Sequence, residues 1–310
     1  MAGLLSHTVY PLCAGTKLFY PLNSCSCKKR PNSKDFGFWA NAGIEEPRSL
    51  DLVDMEYTEL KLTCKIAEAL GRVNIMQHMN PLGSSYALPA HVPDWGEVFD
   101  NPRLPLLIDI GSVYEARKRA GDGDGPGGDD TGTGKFILWL ARRNSGSGNY
   151  LGFELRHKER MRAECWVKDL GLRNVHFLFA NAFNSFEQIV VSYPGPLTFV
   201  SISFPDPHPK KKHRKRRVVQ APLVRSVATH LAIGGQVFVQ TNVPELAREM
   251  RMKFGAASDM IKHAHEIDPG VECSPDGWVL KNPLGIRTEN EVVAESEGSN
   301  IYRRLYQKYA

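Results

Sequence analysis

The sequence predicts an α/β fold: a mainly parallel, doubly wound sheet with helices packed on both faces. Three observations predict it. From residue 104 to residue 254, short apolar runs of strand length alternate with segments whose apolar residues recur at helical spacing. A glycine-rich turn follows the first of these runs, where sheets of this kind receive their ligands. With 310 residues, 42% of them hydrophobic and 24% charged, the chain can bury a large core.

The elements follow in order. Leu62, Ile66, Ala69 and Leu70 place a short amphipathic helix between Thr58 and Leu70. Asn80–Pro105 is rich in Pro, Asn and Gly and reads as an irregular arm around the core. Leu104–Ile110 has the pattern of a buried strand, and Phe136–Arg143 begins a helix. Asn149–Leu155 is a second strand, and Arg156–Leu170 a helix that stops at Gly171, a natural C-terminal cap. Val175–Ala180 and Leu197–Phe204 are the third and fourth strands. Ala221–Leu231 carries Leu223, Val224, Val227 and Leu231 on one helical face. Gly234-Gly235 turns into a fifth strand, Gln236–Gln240, and Pro244–Phe254 is again helical.

Several classes are excluded. The six cysteines form no CxxC pair and no Cys/His cluster of zinc spacing, so neither a disulfide framework nor a metal site is expected. No apolar run is long enough to span a bilayer, so no membrane partner is expected. From Met1 to Lys34 there is no Asp or Glu, whereas Ser, Thr, Lys and Arg abound, a composition suited to an organelle transit peptide. A disordered tail is the alternative. The expected organisation is therefore a targeting or disordered segment at 1–50, a helix and arm at 51–103, and the sheet domain at 104–310. A low-complexity insertion, Val113–Thr131, interrupts that domain with Gly-Asp-Gly-Asp-Gly-Pro-Gly-Gly-Asp-Asp, which cannot pack a core.

Chemistry concentrates after the fourth strand. Asp206 stands between two prolines whose rings fix their own φ angles. Lys or Arg then occupies seven of the eight positions from Lys210 to Arg217. The net charge of +5 is modest, so the clustering, not the total, is what draws phosphate. A fixed acid beside a dense cationic run points to chemistry on a small polar group carried by a polyanion.

The cofactor signal lies earlier. Without the insertion, Asp109-Ile-Gly-Ser112 and Gly132-Thr-Gly-Lys-Phe136 join as one glycine-rich turn between strand and helix, with Gly111, Gly132 and Gly134 as its small residues. Glu154 ends the second strand 20 residues after Gly134, the distance at which an acid accepts both ribose hydroxyls of an adenosine-containing cofactor. Asn181 and Ala182 follow the third strand, where an amide can bond the adenine edge. Dinucleotides and S-adenosyl-L-methionine share this plan. Asp109 favours the latter, since an acid on the first strand can meet the cofactor's ammonium group.

Together these residues resemble the tRNA (guanine-N7)-methyltransferase family. The specific elements are Phe204-Pro-Asp-Pro207 with Lys210, His213, Lys215-Arg-Arg217 and Val219-Gln220. Gln77-His-Met-Asn-Pro-Leu82, Pro93-Asp-Trp-Gly-Glu97 and Ile301-Tyr-Arg-Arg304 are similar to the plant and cyanobacterial branch, which suits a chloroplast address, with mitochondrion or cytosol as alternatives. The resemblance implies a Rossmann-like class I S-adenosylmethionine-dependent methyltransferase acting on tRNA, without an obligatory protein subunit. It assigns Asp109, Glu154 and Asn181 to S-adenosyl-L-methionine and makes Asp206 the active-site acid. Lys210, Lys215, Arg216 and Asn242 become substrate contacts, with Thr288 and Glu291 as a substrate-side pair. Thr288 and Glu291 also read as a helix capping box. Three residues depart from the family: Asn242 replaces an Asp, His208 a Trp, and Met76 a common Arg. An RNA-binding protein whose cofactor site is disabled by the insertion remains the competing reading.

Overall fold

Strands buried at successive positions, as in Leu106–Ile110 and Asn149–Glu154, dictate that this sheet be covered on both faces. The computed structural model describes residues 49–62, 80–86, 88–111 and 134–309. In them, seven strands form one sheet: β1 Leu106–Ile110, β2 Asn149–Glu154, β3 Val175–Phe179, β4 Leu197–Ser203, β5 Leu231–Thr241, β6 Ile261–His263 and β7 Tyr302–Lys308. Their order is β3-β2-β1-β4-β5-β7-β6. The first five are parallel; β7 runs antiparallel to both β5 and β6. Chain order reverses between β1 and β4, so the crevice at their carboxyl ends is the switch point where such sheets bind ligands.

Nine α-helices accompany the strands among the described residues: α1 Ser49–Glu56, α2 Trp95–Val98, α3 Lys135–Arg143, α4 His157–Asp169, α5 Ala182–Ser192, α6 Ala221–His230, α7 Pro244–Gly255, α8 Ala264–Ile267 and α9 Glu289–Ser296. Val200 and Ile202 of β4 join a cluster with Phe186 and Ile189 of α5, Val224 and Val227 of α6, and Leu246 and Phe254 of α7. Phe199, one residue out of phase on the same strand, packs into the opposite cluster. There it meets Phe136 of α3, Trp166 of α4, Phe238 of β5 and Val292 of α9. The strand period thus divides one sequence between two cores. Each large side chain so buried contributes about 1.5–3 kcal/mol.

Most boundaries agree with the sequence reading to within two residues. Strand β5 begins earlier than Gln236, at Leu231, because Gly234-Gly235 lies inside it as an irregularity. Pairing with β4 slips there, from Leu197 opposite Leu231 to Phe199 opposite Gln236. Gly234 has φ 80°, and a Cβ on Gly235 would lie 2.8 Å from the Ala232 carbonyl oxygen, so only glycines admit this path.

The helix expected from Thr58 does not start there. Thr58–Leu60 is a single 3-10 turn, closed by Lys61 in the left-handed region at φ 50°. A separate helix, α1, precedes this turn, and the rest of the expected helix, with Ile66, Ala69 and Leu70, lies outside the described residues. Tyr57, just after α1, donates through Oη to the Arg287 carbonyl at 2.6 Å, and Arg287 Nη2 donates to Glu56 Oε2 at 2.6 Å. These bonds hold the N-terminal helix against the approach to α9. The antiparallel pair β6–β7 was not anticipated. Its strands are short or studded with charge, as in Tyr302-Arg-Arg-Leu-Tyr-Gln-Lys308, and lack the apolar run of a buried parallel strand.

Candidate active site

A pocket opens at the carboxyl ends of β1, β2 and β4. Its walls come from Ile110-Gly111, Phe153–Arg156, Ala180–Phe183, Phe204–Asp206, His208 and Lys215–Val218, with Pro81 and Leu82 of the arm. The two halves expected from sequence, the cofactor residues and the acid with its cations, therefore share one cavity.

Glu154 is the carboxylic acid in the wall on the cofactor side. It caps β2, is 4% exposed, and accepts a hydrogen bond from the Arg156 backbone N–H at 2.6 Å. Burial pushes its carboxyl up to about 8, and the nearby Arg156 charge offsets only part of that. Gly111 faces the pocket at φ 82°, with nothing within 4 Å of where a Cβ would project. A ligand can therefore approach the backbone there. Gly134 has a different role. It begins α3 at φ 83°, and a Cβ would stand 2.8 Å from Phe177 Cε1, so it sets how closely α3 packs on β3. Asp109 lies on β1 between Gly152 and Ser201, 4% exposed, one residue before the pocket wall begins. Gly132 lies outside the described residues.

Asn181 and Ala182 line the pocket at the start of α5. The Asn181 amide is committed internally: Oδ1 accepts the Phe183 N–H at 3.1 Å, and Nδ2 donates to the Pro81 carbonyl at 2.9 Å. Asn184 Nδ2 donates to the Tyr86 carbonyl at 2.7 Å, and Ser185 Oγ accepts the Ala90 N–H at 3.0 Å. The first turn of α5 thus fastens the arm and brings Pro81 and Leu82 to the wall.

The acid half is a strained loop. After β4, Phe204 has φ 49° and His208 has φ 39°, so two non-glycine residues in the left-handed region bracket Asp206. Each costs about 1–3 kcal/mol and persists only where neighbours over-determine it. One support is the Phe204 N–H, which donates to the Gln240 carbonyl at 2.8 Å. His208 is buried, and its Nε2 stands 4.0 Å from Asp206 Oδ2. The carboxylate remains a quarter exposed, open to the pocket.

The cationic run is sorted by the fold. Lys211–Arg216 forms a 3-10 helix. Lys210, Lys211 and Lys212 are exposed, and none lines the pocket. Lys215 and Arg216 do line it. Arg214 turns to Glu245 at 3.0 Å. Arg217 is 2% exposed and binds Glu245, Glu249 and the loop itself. Burial alone would raise Glu249, but hydrogen bonds and charge from Lys253 and then Arg217 outweigh it, and the carboxyl is lowered. Arg156 and Phe183 are wall residues that sequence reasoning did not single out, and Arg217 was named only as part of a motif, with no role of its own. Arg217 was hidden in a charge run, whereas the other two followed strand ends where a site was already expected.

The remaining candidates lie outside the wall. Asn242 is exposed just beyond β5. Thr288 and Glu291 form the capping box of α9: Thr288 Oγ1 accepts the Glu291 N–H at 3.2 Å, and Glu291 Oε2 accepts the Thr288 N–H at 3.3 Å. Glu291 also accepts from Arg303 at 2.7 Å, from Asn282 at 2.7 Å and from Gln240 at 3.3 Å. Burial raises its carboxyl, opposed chiefly by Arg303. Gln240 Nε2 reaches Ser203 Oγ as well, at 3.2 Å, so this buried brace ends beneath the Asp206 loop. Among the described residues, no group of three His, Cys, Asp or Glu could hold a metal ion, and no helix is long and apolar enough to cross a membrane.

Comparison with known proteins gives this geometry its context. Residues 130–303 match the family model Methyltransf_4, described as "Putative methyltransferase". A tRNA (guanine-N(7)-)-methyltransferase of Trichormus variabilis is 35% identical over 242 residues, covering 77% of this chain and 98% of its own length. The protein of the same name from Synechocystis sp. is 34% identical, covering 77% of this chain and 99% of its own. One from a Synechococcus sp. is 38% identical over 74% of this chain and 82% of its own. Identity of this level over most of the length of those proteins, with Asp206, Lys215, Arg216 and Glu154 meeting in one pocket, means that the chain belongs to the tRNA (guanine-N7)-methyltransferase family.

Proposed function

We propose that this protein transfers a methyl group from S-adenosyl-L-methionine to N7 of a guanosine in the tRNA variable loop. The observation that carries the proposal is the single pocket shared by Glu154, Asp206, Lys215 and Arg216. The cyanobacterial relatives named for this reaction support the choice of base and RNA.

The residues fit the cofactor. The pocket opens at the switch point of the sheet, Gly111 leaves its backbone accessible, and Glu154 at the end of β2 can accept the two ribose hydroxyls. Ala182 and the backbone at Asn181 would border the adenine. S-adenosyl-L-methionine, when bound, supplies an electrophilic methyl group on a sulfonium.

Guanine N7 carries an in-plane lone pair, so no proton has to be removed before it attacks. The protein's task is therefore positioning and charge. Asp206 accepts hydrogen bonds from the guanine N1–H and N2–H2 edge, which selects guanine over adenine. It also offsets the positive charge that develops on the base, inside a pocket already rich in cations. Lys215 and Arg216 hold the RNA backbone beside it, and Lys210–Lys212 extend the positive surface outward. The target nucleotide must turn out of its stack to reach Asp206.

The test is methyl transfer from labelled S-adenosyl-L-methionine to unmodified tRNA by the purified chain alone. Borohydride and aniline cleavage then locates the product. Cleavage at a variable-loop guanosine is expected; methyl incorporation elsewhere, or none, refutes the proposal. We further propose a chloroplast location, supported by the acid-free first 34 residues and the cyanobacterial relatives. Residues 1–50 fused to a fluorescent protein should enter plastids, and a cytosolic fusion would refute that address.

A further inference from the structure

We infer that Arg217 is a positioning residue for Asp206 and not one of the cations that hold RNA. The inference rests on the function proposed above. In sequence Arg217 is the last member of a uniform basic run, but its surroundings set it apart. Its side chain is 2% exposed, whereas Arg214 in the same run is 47% exposed. The planar fork of the guanidinium is filled on both edges. Nε donates to the Pro207 carbonyl at 2.7 Å, and Nη2 reaches the His208 carbonyl at 3.5 Å. On the other side Nη2 meets Glu245 Oε1 at 3.1 Å, and Nη1 binds Glu249 Oε2.

The loop it grips is the one that cannot hold itself. Pro207 and His208 directly follow Asp206, and His208 has the unfavourable φ of 39°. A free loop would relax that residue and swing the carboxylate. Arg217 ties both carbonyls to α7, which is packed on the sheet through Leu246, Met250 and Phe254. The tie is reinforced from below. Lys253 Nζ donates to Glu249 Oε1 at 2.5 Å, to the Val219 carbonyl at 2.7 Å and to Gln220 Oε1 at 3.0 Å. Gln220 Nε2 returns to the Arg217 carbonyl at 3.0 Å and the Arg214 carbonyl at 3.1 Å. The 3-10 helix bearing Lys215 and Arg216 is thereby fixed to the same helix as the acid, so base and phosphate contacts share one frame.

The chemistry of the residue supplies the test. Lysine keeps the charge but offers a single ammonium, unable to span two carbonyls and two carboxylates in a plane. Arg217→Lys would leave a phosphate contact largely intact and break a clamp. Four quantities are measured for wild type, Arg217→Lys and Lys215→Ala: kcat, Kd for S-adenosyl-L-methionine, Kd for tRNA, and the slope of log Kd against log salt. Arg217→Lys is expected to lower kcat about 100-fold, the order produced by misplacing a reacting group by about 1 Å. Its Kd values and salt slope should stay near wild type. Lys215→Ala should instead reduce the salt slope by about 1. A near-wild-type kcat in Arg217→Lys, or a slope reduced as in Lys215→Ala, overturns the inference.

Should Arg217→Lys fail to fold, Glu249→Gln carries the same comparison: a lowered kcat at unchanged salt slope supports the clamp, and an unchanged kcat overturns it. Hydrogen exchange of the peptide spanning residues 199–212 reads the clamp without catalysis. Faster exchange is expected in whichever variant folds, and unchanged exchange overturns the inference. If wild type itself fails to methylate tRNA, the proposed function falls, while the exchange result still decides whether Arg217 holds the loop.

Discussion

Glu154 should make this protein less stable as pH rises, and the size of the effect follows from its burial. The perturbation is Glu154→Gln, nearly isosteric and unable to ionise. In the folded chain the carboxyl stands at about 8, against 4.5 for an ordinary glutamate, because it is desolvated. The folded state therefore holds a proton between those two values that the unfolded state has released. Stability from the protonated group is fully present below pH 4.5 and is lost as pH rises through about 8. Over the whole interval this amounts to about 5 kcal/mol, and within it the slope is about 1.4 kcal/mol per pH unit. Urea unfolding of wild type and variant at pH 5.5 and 7.5 isolates the term, since other titrating groups cancel. The advantage of Glu154→Gln over wild type should grow by roughly 2–3 kcal/mol between the two conditions. A difference constant within about 0.5 kcal/mol would mean that Glu154 is not desolvated as the structure shows, and the reasoning would fail. The same ionisation governs the cofactor. Accepting two ribose hydroxyls requires the carboxylate, so affinity of wild type for S-adenosyl-L-methionine should rise towards pH 8 with release of a proton, measurable by calorimetry in buffers of different ionisation enthalpy.

Further outcomes are expected at other residues. Asp206→Asn should retain cofactor affinity and lose at least about 100-fold in kcat/KM for tRNA, because one of its two acceptor oxygens becomes a donor facing guanine N–H groups; near-normal turnover would remove Asp206 from its role. Thr288→Ala should lower unfolding free energy by about 1 kcal/mol through loss of the α9 cap, and a fall in turnover far beyond that loss would show that Thr288 reaches the substrate. Gly134→Ala should weaken cofactor binding and lower thermal stability together, since the added methyl must displace Phe177 or α3; an unchanged melting temperature would count against that packing. A chain lacking Val113–Thr131 should bind S-adenosyl-L-methionine at least as tightly as the full chain, measured by calorimetry, and weaker binding would make the insertion part of the site.

The parallel sheet was legible because its code is local. Runs such as Leu106-Leu-Ile-Asp-Ile110 are buried along their whole length and show it in composition. The capping box at Thr288 was legible for the same reason, because its two partners lie one helical turn apart. What escaped depends on contacts far along the chain. The antiparallel strands β7 and β6, beyond β5 in the sheet, are made by pairing, with Gln236 opposite Gln307, and their own residues carry no strand signature. The Asn181 amide looked available to a base, yet Pro81, 100 residues earlier, takes its donor. His208 was visible as an unusual residue but not as one placed 4.0 Å from the acid, which requires the turn that Phe204 starts at φ 49°.

The basic run shows how such contacts change a functional estimate. Counted from sequence, Lys210–Arg217 offers seven cations to RNA. The fold withdraws two. Arg217 is enclosed by loop carbonyls and two glutamates, and Arg214 is paired with one of the same glutamates. Lys210, Lys211, Lys212, Lys215 and Arg216 remain to meet phosphate. At about 0.7–0.9 counterions released per phosphate neutralised, the run contributes a salt slope of about 4, not the 5 to 6 that seven cations would give. The withdrawn pair is not wasted charge. Glu245 and Glu249 hold Arg217 inward, where it binds the Pro207 and His208 carbonyls of the loop that carries Asp206, while Arg214 pairs with Glu245 at the surface. On the proposed function, affinity for the polyanion and aim at the base fall to neighbouring members of one run, and substitutions one residue apart, at Arg216 and Arg217, should separate the two.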